Sequence, residues 1–276
     1  MNPPTTDSAV LKRYAAELRG SIIEVSGRAG VPHLGSCLSC VDILATLYWG
    51  VLRLDPSRPD SVERDRFLLS KGHAAPALFQ VLTKRGYFPE NLLDNYGEDG
   101  SLFAEHPPAH GVPGIEAATG SLGHGLPLAI GMMLGMQLAQ QPGRVFALLG
   151  DGECNEGSVW EAAMMASAQR LDRLTVIVDY NKWQATARSN EVLSLAPLGD
   201  KWSAFGWSVT EVDGHDIAAL LAAFTRLPFE PGKPSAIIAH TVKGKGVSFM
   251  EDDNNWHYRT PNPDEVQRAR RELGLD

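Results

Sequence analysis

From Arg144 onward the chain alternates short, almost wholly apolar runs with stretches of helical periodicity, and that alternation leaves few folds open. "RVFALL", "LTVIVDY", "WSVTEV" and "PSAIIAHT" read as strands, and residues 157–170, 197–205 and 216–226 between them read as helices. Strands apolar on both faces and joined by helices predict an α/β fold: a doubly wound, mostly parallel sheet with helices on both faces. Further upstream, Val10, Leu11, Tyr14, Leu18, Ile22 and Val25 recur at helical spacing across residues 8–28. Ser39 is placed to cap a helix running through "CVDILATLYWGVL", "DRFLLS" reads as a strand, and "KGHAAPALFQVLTKRG" as a turn followed by a helix. The stretch 89–118 is rich in Pro, Gly, His and acidic residues, too polar and irregular for core, and a segment of that length without regular structure usually carries function. No internal repeat or low-complexity linker divides the sequence. Residues 1–276 therefore read as a single domain with a polar tail from about 243.

Composition narrows the function. A net charge of -8 with no run of Lys or Arg argues against nucleic acid. The three cysteines, Cys37, Cys40 and Cys154, are too few for a disulfide framework, which points to a reducing, cytoplasmic setting. Cys37 and Cys40 form a C-x-x-C pair, but no second pair completes a zinc site, so both read as small core residues. The N-terminus lacks the apolar segment of a signal peptide. "GLPLAIGMMLGMQLA" is too short for a membrane span and contains Pro127, so its Gly131-x-x-x-Gly135 spacing reads as close helix packing.

The chemistry concentrates at "GDGECNEG", where an apolar strand ends in a glycine turn and a helix begins. Helix N-termini at the carboxyl edge of a parallel sheet collect backbone amides that hold anions. A carboxylate there, Asp151, would repel a phosphate unless a cation stood between them. The next apolar strand ends at Asn181, 30 positions later, about one strand–helix–strand unit, which sets the two residues side by side. A carboxylate and an amide oxygen are hard ligands suited to magnesium, which completes its shell with phosphates and water. A nicotinamide fold fits less well. Gly150, Gly152 and Gly157 miss the G-x-G-x-x-G spacing, and Asp179 lies too far from the turn to serve as the ribose aspartate.

With "GDG" followed about 30 residues later by Asn, the sequence resembles the thiamine diphosphate enzymes, and its surroundings resemble transketolase. "RAGVPHLGSCLS", "LSKGHAAPAL", "EHPPAHGVPGIEAATGSLGHGL", "DYNKW" and "HTVKGKGVSFMEDDNNWH" agree in order across residues 20–260. The resemblance covers the N-terminal half of a full-length transketolase. It implies that Asp151, Asn181 and the main-chain carbonyl of Trp183 hold magnesium, and that the amide of Gly152 meets the diphosphate. His73 and His257 match histidines that touch diphosphate and substrate. His33 and His106 match histidines lining the substrate channel, and Gly120 and Leu122 match the segment against the cofactor rings. Glu156 matches a glutamate near the aminopyrimidine at the dimer interface. Four of the eight histidines thus stand in Gly- or Pro-marked loops, where groups that move protons near neutral pH are expected. His124 replaces the family's usual glutamine, as in split transketolases and deoxyxylulose phosphate synthases. His110 is unassigned, and His215 and His240 read as turn and strand-end residues.

In this family a glutamate of a second, pyrimidine-binding domain activates the cofactor, and no such domain follows "RRELGLD". The resemblance therefore implies one subunit of a split transketolase, transferring a two-carbon ketol unit from a ketose to an aldose with a C-terminal partner subunit. An α2β2 assembly is expected, with Gly123, Gly125, Gly131 and Gly135 facing the other chain. Another thiamine diphosphate enzyme, of the deoxyxylulose phosphate synthase or ketoacid-decarboxylating kind, is the alternative. The several channel histidines favour ketol transfer.

Overall fold

The computed structural model describes residues 4–276. Helix α1 (Ser8–Ala29) leads into two short helices, α2 (Leu34–Ser39) and α3 (Val41–Thr46). Strand β1 (Arg66–Leu69) is followed by α4 (Ala75–Arg85), and a long irregular segment leads to α5 (Gly125–Leu138). Then come β2 (Val145–Gly150), α6 (Gly157–Ala168), β3 (Leu174–Tyr180), α7 (Ser189–Val192), α8 (Leu198–Ala204), β4 (Ser208–Asp213), α9 (Ile217–Thr225), β5 (Ser235–His240) and α10 (Pro263–Glu272). The five strands form one sheet in the order β1-β2-β3-β5-β4, parallel at every junction.

Alternation along the strands divides the core in two. Phe146, Leu148 and Ile177 face one side, with α1, α3, α4 and α9; Val145, Ala147, Leu149, Val176 and Val178 face the other, with α5, α6 and α8. All seven residues of β3 are buried, as the central strand of a doubly covered sheet must be. Among the described residues, no helix is long and apolar enough to cross a membrane.

Three expectations are corrected. Ser39 does not cap a helix: it ends α2, and its hydroxyl donates to Asp179 at 2.6 Å. The segment 89–118 is irregular but not excluded from the core, since Tyr96 and Phe103 pack edge-on against Phe79. The segment after 243 is no loose tail. Lys243, Met250 and Trp256 are fully or almost fully buried, and α10 lies against α1, with Gly27 leaving room for Val266 and Pro261. The physical reason is economy of apolar residues: a few anchors spaced along a polar segment suffice to bury one narrow face.

The glycines expected to face another chain divide likewise. A Cβ on Gly125 would stand 2.7 Å from the Cα of Ser70, and one on Gly123 would stand 2.6 Å from the Cβ of Glu156, so both pack within the chain. Gly131 and Gly135 border open space. Gly125→Ala is expected to lower unfolding free energy by ~2 kcal/mol or more through overpacking. Gly131→Ala should raise it by about 0.5–1 kcal/mol through helix propensity. Urea denaturation of the isolated chain checks both, and equal effects would contradict the packing described.

Candidate active site

The strand register sets the floor of the site. Gly150 pairs with Asp179 and Tyr180 pairs with His240, so β2, β3 and β5 end together and release Asp151, Asn181 and Thr241 at one edge. Beneath that edge Lys71 meets Asp179 at 2.5 Å, both fully buried. Lys71 also donates to the carbonyl of Ser36 at 2.8 Å, and Ser39 and Thr241 donate to Asp179. Burial alone would raise the Asp179 carboxyl, but Lys71 and the hydroxyls outweigh it and hold it below the usual carboxylate range. Four segments distant in sequence are thereby tied under one cleft.

That cleft encloses about 400 Å³ and is lined by every residue assigned from the sequence: His33, His73, His106, Gly120, Leu122, Asp151, Gly152, Glu156, Asn181, Trp183 and His257. Asp151 is nearly inaccessible. It accepts from the amides of Gly152 at 2.8 Å and Lys182 at 2.7 Å, and from the Ser189 hydroxyl at 2.8 Å. Burial nevertheless pushes its carboxyl up to about 6, the mark of an anion short of positive charge. Asn181 Oδ1 accepts from the Trp183 amide at 3.0 Å, and the Trp183 ring is fixed by Asp252 and by Arg188 stacked at 3.8 Å. Among the described residues, no three His, Cys, Asp or Glu side chains converge as a metal cage. The donor set is one carboxylate, one amide oxygen and main-chain carbonyls, which suits a magnesium ion sharing its shell with phosphates.

Opposite, the four expected histidines form one cluster. His33 lies 4.9 Å from His257, 5.4 Å from His73 and 6.4 Å from His106, between ring centroids. His33 itself sits in the left-handed region at φ 70, a strained backbone held by its amide donating to the His257 carbonyl at 2.8 Å. Gly120 runs so close under His106 that a Cβ there would stand 2.8 Å from the ring. Two buried polar atoms of the lining, His33 Nδ1 and Gln184 Nε2, find no partner among the described residues. Orphans of that kind cost about 1–3 kcal/mol each unless a ligand satisfies them. Glu156 stands exposed at the rim, at the N-terminus of α6, and His110 and His124 are exposed outside the cluster.

Several groups lining the cleft or buried behind it escaped the sequence reading. Glu153 is buried and accepts from Ser70, Gly123 and Gly150, bracing the "TGSLG" turn against the end of β2. Lys243 is fully buried beside His257, and Gln184 lies next to Trp183. The signal lay inside "SKGHA", "GDGECNEG" and "TVKGKG", but a buried charge looks like a surface charge until its partner is known. Cys37 and Cys40 are buried free thiols, each pushed up to about 12, chiefly by burial.

The parallel sheet gathers a glycine turn, Asp151, Asn181 and a histidine cluster around one cleft at its strand ends, the kind of place where α/β proteins hold cofactors. Residues 11–276 match the family described as transketolase, thiamine diphosphate binding domain, and the chain belongs to that family. It is 43% identical over 241 residues to the 6-deoxy-6-sulfo-D-fructose transketolase subunit SqwG of Clostridium sp., covering 87% of this chain and 88% of that one. It is 39% identical over 275 residues to an apulose-4-phosphate transketolase subunit of Actinobacillus succinogenes, covering 99% of both. The transketolase structure of Campylobacter jejuni superposes with a TM-score of 0.92 at 28% identity, over 98% of this chain but only 43% of that one.

Burial pulls the histidines down from their ordinary value: His257 to about 3, aided by Lys243, and His73 well below 6.5, aided by Lys71. His33 is also lowered, by burial first. Between pH 7.5 and 6.0 the unfolded chain gains protons at these positions that the folded chain does not. Their contribution to stability is therefore present above about 6.5 and lost as the pH falls. Asp151 and Glu153, both raised by burial, act in the opposite direction, two groups against three. Unfolding free energy from urea titrations should drop by about 1–2 kcal/mol over this interval, and His73→Asn should flatten the slope. An unchanged slope in the variant would show that His73 titrates normally.

Proposed function

We propose that this chain is the diphosphate-binding subunit of a split transketolase. With a C-terminal partner subunit it moves a two-carbon ketol unit from a ketose donor to an aldose acceptor, using thiamine diphosphate and magnesium. The observation that carries this reading is that Asp151 and Asn181, at adjacent strand ends, line one cleft with four clustered histidines. Asp151, Asn181 and the Trp183 carbonyl would hold the cation. The Gly152 amide, His73 and His257 would bind the diphosphate, Gly120 and Leu122 would flank the rings, and Glu156 would meet the aminopyrimidine. Bound there, thiamine diphosphate would supply the carbon nucleophile that ketose cleavage requires. The chain's own work is to orient substrate and handle protons: His33 and His106, at the cleft wall, would bond sugar hydroxyls and carry protons on and off them. Two relatives are named for a sulfo-sugar and a phosphorylated sugar, and an anionic ketose donor is the reading we extend to this chain.

The partner is supported by relatives named as subunits and by the outer face of α5 and α6. Leu138 is 88% exposed, Met164 53%, Met165 44% and Leu128 41%, an apolar face that a second chain would cover. Closed symmetry would favour α2β2. Free, buried cysteines accord with a cytoplasmic enzyme.

Asp151→Asn removes the carboxylate charge and should abolish magnesium-dependent thiamine diphosphate binding, measured by calorimetry on the complex with its partner. Wild-type affinity in this variant would refute the metal assignment. His106→Ala should lower ketol transfer by about ten-fold to ten-thousand-fold, the usual range for acid–base groups. Steady-state kinetics with a phosphorylated ketose and an aldose decides, and an unchanged rate would return His106 to a packing role.

A further inference from the structure

Buried behind the cleft wall is an ammonium group, Lys243, whose contacts determine which nitrogen of a neighbouring histidine carries the proton. Lys243 is fully buried, and its Nζ reaches three acceptors: Asn254 Oδ1 at 2.7 Å, His257 Nδ1 at 3.0 Å and the Gln184 carbonyl at 3.4 Å. Two of these are oxygens that can only accept. The Asn254 orientation is independently fixed, because its Nδ2 donates to the Ala185 carbonyl at 3.1 Å. An ammonium has three N–H donors and no lone pair. With two donors committed to oxygens, the third points at His257 Nδ1, which must then present its lone pair. Asn254 and His257 also stand at the two ends of one helical turn, so Lys243 clamps that turn and fixes the ring's rotation. The backbone is pinned from the other side by the His33 amide on the His257 carbonyl. His257 Nε2 makes no hydrogen bond among the described residues, and the residue lines the cleft.

We propose that Lys243 is a positioning residue that locks His257 in the neutral Nε2–H tautomer, so that His257 faces the cleft only as a hydrogen-bond donor. A ring so held offers its proton to an anionic or hydroxyl oxygen and has no free lone pair with which to remove one. Proton removal then falls to the other groups of the cleft. The lowering of His257 to about 3, first by burial and then by the Lys243 charge beside it, agrees. Lys243 itself is lowered to about 8, first by burial and then by Lys71, and so remains mostly an ammonium at neutral pH. The consequence for the reaction rests on the ketol-transfer reading; the tautomer does not.

The test is nitrogen-15 NMR of the histidine-labelled full chain at pH 7 without cofactor, with the His257 signals assigned by their loss in His257→Asn. The wild type should show a protonated Nε2 and a bare Nδ1. Lys243→Met should erode this preference about tenfold, the ratio a charge-assisted hydrogen bond supplies, and should move the His257 titration up toward the ordinary value. Lys243→Gln, which keeps a donor, should restore the tautomer. A protonated Nδ1 in the wild type, as if a neutral amine accepted from it, would overturn the proposal with no substitution needed. So would a Lys243→Met spectrum indistinguishable from wild type. Failure of cofactor binding in the complex would refute the functional reading and leave the tautomer untouched.

Discussion

The buried pair of Lys71 and Asp179 holds the active edge of the sheet together. Neither charge has access to water, and together they engage Ser36, Ser39 and Thr241. Two ions taken out of water are costly unless their geometry and remaining hydrogen bonds are nearly complete. Here they are: the ammonium has a carboxylate and a carbonyl, and the carboxylate has an ammonium and two hydroxyls. Such a pair adds little net stability relative to apolar side chains of equal volume, but it imposes one arrangement. The turn after β1, the end of α2, the last residues of β3 and the exit of β5 must all be in place for either charge to be satisfied. The cleft inherits its geometry from that requirement, with Asn181 two residues beyond Asp179 and His73 two beyond Lys71.

How much of this could be read from the sequence depended on how local the cause was. The strands from Arg144 onward were legible because burial on both faces demands unbroken apolar runs, and β3 satisfies that at all seven positions. The Asp151–Asn181 pair was legible because strand–helix–strand spacing converts chain separation into adjacency. The histidines were legible only jointly, through the order of their motifs. Lys71 and Asp179 could not be found this way, because the pairing spans 108 positions and each residue alone resembles a surface charge. The burial of residues 243–276 was hidden for the related reason that Met250, Trp256 and Ala269 are sparse anchors in an otherwise polar stretch. Ser39 carried the sequence mark of a helix cap, but it is the last residue of α2, Cys40 precedes α3, and the Ser39 hydroxyl points inward to donate to Asp179.

The electrostatics of the cleft follow from the same arrangement. Lys71 is neutralised by Asp179, but Lys243 has no carboxylate within ion-pair distance among the described residues and sits beside the histidines. Burial first, and then the two lysines, depress His73 and His257, so these two rings are held neutral. Across the cleft Asp151 is short of positive charge, and its carboxyl rises accordingly. In the proposed complex, Asp151 would hold the cation, and His73 and His257 would meet the diphosphate oxygens. By the rule that an adjacent anion favours the protonated form of histidine, those oxygens would move the rings back toward neutral titration. The opposite shifts of Asp151 and of His73 and His257 have one first cause: burial disfavours the charged form of each group, raising a carboxyl and lowering an imidazole.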